Sequence, residues 1–75
     1  MPSQAIIIDA RGMRCPWPAL RLARAMRTAP AGSSVELLAD DPAAEADIPA
    51  LAAERGWALE LHPEDGGVTR YRARC

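Results

Sequence analysis

The chain has 75 residues, enough for one domain (1–75) that can bury a single two-layer core. Nine basic and ten acidic side chains leave a net charge of −1, which gives no bulk electrostatic reason to bind nucleic acid or an anionic membrane surface. The longest apolar run near the N-terminus, Ile6-Ile7-Ile8, is too short for a signal peptide or a membrane span, so the sequence reads as a cytoplasmic protein.

Residues 4–8 read as a strand. Three β-branched residues in succession predict a strand covered on both faces or lying inside the sheet. Residues 9–14 form a loop in which Gly12 permits an unusual backbone angle. Residues 16–28 carry a helical pattern: Ala19, Leu22, Ala23 and Met26 share a face, Leu20 lies on its border, and Arg21 and Arg24 point away. Ala29-Pro30-Ala31-Gly32 ends this helix. Residues 34–39 are a second strand. Asp40-Asp41-Pro42 is a turn that opens a second helix over 43–55. Pro49 suggests that the regular part of that helix starts near Asp47, with Asp47 as its cap and Pro49 in the first turn. Asp41 is also read as a cap. Residues 57–62 form a third strand with Trp57, Leu59 and Leu61 on one face. Pro63 to Gly67 is a hairpin turn, and 68–74 is the last strand, with Thr69, Tyr71 and Ala73 on one side.

The order βαβαββ predicts an α/β (α+β) two-layer sandwich: a four-stranded mixed sheet with two helices on one face. The expected core draws on Ile6, Ile7, Ile8, Leu20, Leu22, Met26, Val35, Leu37, Ile48, Leu51, Leu59 and Leu61, with a Trp and Tyr71.

Chemistry concentrates at Arg11-Gly12-Met13-Arg14-Cys15-Pro16-Trp17-Pro18. Proline is tolerated in the first helical turn, so Cys15 falls at or near the cap position. A helix N-terminus favours a thiolate, and Arg14 and Arg11 nearby would favour it further. Cys15 is therefore the candidate catalytic residue. Arg11, Gly12, Arg14, Pro16 and Pro18 are expected to stabilise or position its thiolate. The bland alternative is a small buried cysteine. The one histidine, His62, lies at a strand end far along the chain, so a Cys-His pair has little support. Two cysteines and one histidine without close spacing make no zinc site, and there is no Cys-x-x-Cys pair. A lone activated thiol without a base suits group transfer, and persulfide sulfur is such a group. Trp17 either packs on its own helix or forms, with Arg21 and Arg24, a contact for a partner protein. Arg70, Arg72 and Arg74 read as an exposed strand face, and Cys75 as a terminal thiol.

Asp9-Ala10-Arg11-Gly12-Met13-Arg14-Cys15-Pro16-Trp17-Pro18, then Asp40-Asp41-Pro42, then Asp47-Ile48-Pro49 and Gly56, resemble the TusA/SirA sulfur-carrier family over nearly the whole chain. The resemblance implies a fold like the C-terminal domain of translation initiation factor 3. It implies a covalent persulfide on Cys15 and no other cofactor or metal. It also implies a sulfur donor, a cysteine desulfurase or a rhodanese-like protein, and an acceptor protein that serves tRNA thiolation, sulfur oxidation or related sulfur trafficking. A monomer without a membrane or direct nucleic-acid role is expected. Trp17 stands where the tRNA-thiolation branch often has Glu, and Trp57 stands where His is common. Two other functions compete: a non-enzymatic regulatory or adaptor module binding a protein or RNA, and a redox switch between Cys15 and Cys75.

Overall fold

The computed structural model describes residues 5–75. Its elements are β1 (Ala5–Asp9), α1 (Trp17–Thr28), β2 (Ser34–Ala39), α2 (Ala44–Arg55), β3 (Ala58–Pro63) and β4 (Thr69–Arg74). The sheet order is β1-β2-β4-β3, with β1 and β2 parallel and β4 antiparallel to both of its neighbours. A parallel pair needs a crossover, and α1 supplies it. The predicted order and the mixed sheet are those of the molecule. The first strand was expected over 4–8, and Gln4 lies outside the described residues.

Two rows of side chains cross the sheet toward the helices. One is Ile6, Val35, Ala73 and Leu59; the other is Ile8, Leu37, Tyr71 and Leu61. Leu22 and Met26 of α1 and Ala44 and Ile48 of α2 close on these rows. Leu22, Val35, Leu37 and Ile48 are fully buried, each stabilising the fold by on the order of 2 kcal/mol. With no Phe in the chain, Tyr71 is the largest buried side chain.

Of the residues expected in the core, Ile7, Leu20, Leu51 and Leu61 lie outside it. β1 is an edge strand, and its side chains alternate between faces. Both helices cover the same face, so Ile7 points the other way and is 67% exposed. Leu61 does face the helical layer, but on the outer strand β3 that layer gives out and it remains 44% exposed. Leu20 lies on the rim of α1 and is 51% exposed.

The open face of the sheet is a charged ladder. Glu36, Arg72 and Glu60 stand in register on β2, β4 and β3, and Arg70 pairs with Glu36 at 3.5 Å and with Glu64. His62 meets Glu60 at 3.1 Å. The β3–β4 turn contains a short 3-10 segment at Asp65–Gly67 and closes with Glu64 N donating to Val68 O at 2.8 Å.

Helix α2 departs from expectation. It starts at Ala44, and Pro49 lies inside it rather than in its first turn. The amide-to-carbonyl bonds Ala44–Asp41, Glu45–Pro42 and Ala46–Ala43 wind the chain tightly before the α-helical bond from Asp47 N to Ala43 O. These bonds start the helix one turn earlier than a cap at Asp47 would. The side chain of Asp47 is thereby left free for another partner.

Candidate functional site: an exposed thiol on an acidic cradle

The loop that carries Cys15 leaves the sheet at the end of β1. It is tied back by backbone bonds from Ala10 N to Leu38 O at 2.8 Å and from Met13 N to Ala10 O at 3.1 Å. Gly12 has φ of +84°, a conformation that glycine adopts at least cost, and its N–H donates to Asp40 Oδ1 at 2.9 Å. Cys15 N–H donates to Asp41 Oδ2 at 2.6 Å, and Asp41 Oδ1 accepts from Ala43 N at 3.2 Å. One carboxylate thus bridges the cysteine loop and the entry to α2. The Cys15 thiol itself donates to Asp47 Oδ2 at 2.8 Å. Three aspartates from the β2–α2 segment therefore hold the loop at Gly12, at the cysteine backbone and at the sulfur.

The Cys15–Pro16 peptide is cis. Pro16 is the N-cap of α1 and Pro18 its second helical residue, and Pro18 is fully buried. Cys15 lies one position ahead of the cap and is exposed.

The expected thiolate is not what this geometry favours. The Asp47 hydrogen bond, followed by partial desolvation and the charges of Asp47 and Asp41, pushes the thiol above its usual pKa. The helix start has few donors to offset this, and among the described residues no backbone N–H bonds the sulfur. Pro16 and Pro18 have no N–H, and the Trp17 N–H is taken by Arg14 O at 2.9 Å. The two prolines that mark the motif thus remove donors that a thiolate at this helix end would need.

Arg11 does not stabilise the sulfur either. Its guanidinium grips Asp9 through Nε at 2.9 Å and a terminal nitrogen at 2.8 Å, which holds the Asp9 carboxyl down at about 2. Arg14 is exposed and makes no side-chain bond to Sγ. Among the described residues, the sulfur's hydrogen-bonding partner is Asp47. The sequence reading missed Asp47 as a site residue. Aspartate is common at helix caps, and a contact across 32 positions leaves no local periodicity to find.

Trp17 is 60% exposed, so it does not pack into the domain. Arg21 and Arg24 are exposed on the same helix. From the thiol a groove of about 440 Å³ runs between the helices, lined by Cys15, Ala19, Leu20, Asp47, Ala50 and Leu51 among others. Its alanines leave space, and Leu20 gives it an apolar lip.

Residues 6–74 match the model of the family described as sulfurtransferase TusA. The chain belongs to the TusA family. It is 43% identical over 65 residues to a putative sulfur carrier protein of Archaeoglobus fulgidus, covering 85% of this chain and 84% of that one. It is 35% identical over 68 residues to the sulfur carrier protein TusA of Pseudomonas putida, covering 91% of this chain and 85% of the relative. The crystal structure of a SirA-like protein from Desulfitobacterium hafniense superposes with a TM-score of 0.82 at 30% identity, over 91% of this chain and 93% of that one. The TusA resemblance first seen in the motifs therefore extends over the sequence and the fold. No helix among the described residues of this TusA-family chain is long and apolar enough to cross a membrane.

Proposed function

We propose that this TusA-family chain carries sulfur as a persulfide on Cys15, received from a donor protein and passed to the cysteine of an acceptor protein. The observation that carries the assignment to Cys15 is an exposed thiol on a loop pinned by three carboxylates, at the mouth of an apolar groove.

Loading needs no external oxidant. Sγ attacks the outer sulfur of a donor persulfide and forms a new S–S bond. The donor's own S–S bond breaks, and the donor sulfur departs with the electron pair as a thiolate that is then protonated. Unloading repeats the exchange with the acceptor's thiolate as nucleophile. The donor is a cysteine desulfurase or a rhodanese-like protein. The chain acts as a cytoplasmic monomer that is loaded and emptied by its partners rather than turning over substrate alone. Leu20, which shares the groove with the thiol, and exposed Trp17, two residues along the chain from it, supply the apolar contact, and exposed Arg21 and Arg24 of the same helix supply charge.

Intact mass after incubation with a desulfurase and cysteine, or with a rhodanese and thiosulfate, is expected to rise by one sulfur atom. A Cys15→Ser chain is expected to show no such gain. If it gains the same mass, Cys15 is not the carrier.

A further inference from the structure

We propose that Asp47 is a catalytic residue of sulfur loading: its carboxylate takes the Cys15 proton as Sγ bonds to the incoming sulfur and delivers it to the departing donor sulfur. The proposal rests on the reading of Cys15 as the sulfur-carrying thiol.

The geometry supplies the acceptor. Asp47 Oδ2 lies 2.8 Å from Sγ and already receives the thiol hydrogen. The other groups around the sulfur are unsuited. Asp41 has its two oxygens occupied by Cys15 N and Ala43 N. Asp40 holds Gly12 N, and Arg11 is paired with Asp9. Arg14 on the loop and Arg55 at the groove present guanidinium groups, which have donors and no acceptor. Glu54 lines the groove but makes no bond to the sulfur, and the groove wall contributed by Pro16 and by Ala19, Leu20 and Ala23 of α1 carries no charge. His62 is bonded to Glu60 on the open face of the sheet. The chain has no Lys.

A carboxylate is a weak base toward an ordinary thiol, so the proton stays on sulfur in the idle carrier. The acid cradle reinforces this, because it disfavours a second negative charge beside Asp47 and Asp41. Attack changes the balance. As the Sγ lone pair enters the new S–S bond, the sulfur becomes positive and its S–H strongly acidic. The proton then passes to Asp47 Oδ2. The donor's S–S bond breaks with its electron pair on the donor sulfur, which takes the proton from the carboxylic acid. A thiol and a persulfide become a persulfide and a thiol, with no net redox change. The idle carrier is a poor nucleophile toward agents that need a preformed thiolate, yet it reacts with a persulfide whose departing sulfur comes within reach of Asp47.

The test uses the full chain with Cys75→Ser, so that Cys15 alone reports, and compares Asp47, Asp47→Asn and Asp47→Glu. Iodoacetamide reads thiolate content against pH. Glutathione persulfide, followed by intact mass, reads loading without any base from a donor enzyme. In Asp47→Asn the alkylation profile is expected to move to lower pH and alkylation at neutral pH to quicken, because a charge beside the thiol is gone. Loading is expected to slow by about 10²-fold, at the low end of what general base catalysis contributes, and to rise with pH as it becomes dependent on the thiolate. Asp47→Glu, which retains a carboxylate, is expected to recover most of the loading, and it carries the test should the Asn variant fail to fold. Failure of Asp47→Glu to load, although folded, overturns the proposal. Loading by Asp47→Asn that is unchanged, or that quickens together with alkylation, also overturns it while leaving Cys15 as the carrier. A parent chain that takes up no sulfur overturns both readings.

Discussion

Asp41 serves two backbone donors at once, the N–H of Cys15 and that of Ala43. Bonds to an ionised acceptor contribute more than neutral ones, and the residue is only half-buried, so Asp41→Ala is expected to cost about 1–2 kcal/mol. Chemical denaturation reads that cost directly. Loss of the same carboxylate also frees the cysteine loop from the α2 entry, so the Cys15 amide is expected to exchange faster with solvent. Charge works at the residue scale too. Folding raises the pKa of the Cys15 thiol. Its contact with Asp47 therefore adds stability that is fully present below the usual thiol pKa and is lost as pH rises through the raised value. The Asp9–Arg11 pair has the opposite sense. It contributes above the ordinary carboxylate pKa and fades as pH falls toward about 2.

At the scale of elements, α2 is the part most at odds with its own sequence. Pro49 sits inside the helix, where it offers no N–H to the carbonyl of Glu45 one turn before. Pro49→Ala restores that donor and relieves the crowding of the ring, against a loss of about 0.4–1 kcal/mol from the freer unfolded chain. A net gain of about 1 kcal/mol is expected, or roughly 4–8 °C in Tm for a domain of this size. A thermal melt showing no gain would mean that the helix has already adapted to the ring. The end of α2 holds no such conflict. Gly56 takes the left-handed conformation at φ +75°, and Trp57 N closes the turn on Ala52 O at 2.9 Å. The same logic applies at the other functional turn, where Gly12 needs a positive φ although its surroundings have room for a Cβ.

At the scale of the whole molecule, the two cysteines lie at opposite ends of the sheet. Cys15 is tied to Asp41, just beyond the last residue of β2, Ala39, which pairs with Thr69 at the start of β4. Cys75 follows Arg74, which pairs with Ser34 at the first position of β2. Six residues of strand separate these two ends, on the order of 17 Å, against the 4.4–6.8 Å between Cα atoms that a disulfide needs. The redox-switch reading therefore fails on topology. Mild oxidation of dilute protein is expected to give no monomer lighter by two hydrogens, and mass spectrometry under non-reducing conditions checks this. The layout also separates the thiol from the charged ladder of the sheet. The thiol end is served by the loop after β1 and the entry to α2, while Glu36, Arg70, Arg72 and the rest of the ladder occupy the open face of the sheet.

The sequence alone determined the element order, the single helical layer, the prominence of Cys15 and the family, because these rest on short-range patterns. Period-2 and period-3.6 apolar spacing, glycine at helix ends, and proline beside cysteine are all readable within a few residues. What it could not decide were the properties that depend on which distant groups meet. Ile7 looked like core because β-branching is a local signal, whereas burial is set by the face the helices choose. Asp47 looked like a cap because caps are where aspartate is common, whereas its partner is a sulfur 32 positions away. The direction in which the surroundings of Cys15 push its thiol was misread for the same reason. The arginines are neighbours in sequence, but one faces Asp9 and the other makes no bond to the sulfur. Only the tertiary fold brings in Asp47, whose carboxylate meets the sulfur at 2.8 Å, and Asp41, whose charge is held beside it by the bond to Cys15 N, and these carboxylates disfavour the thiolate while neither guanidinium bonds the sulfur.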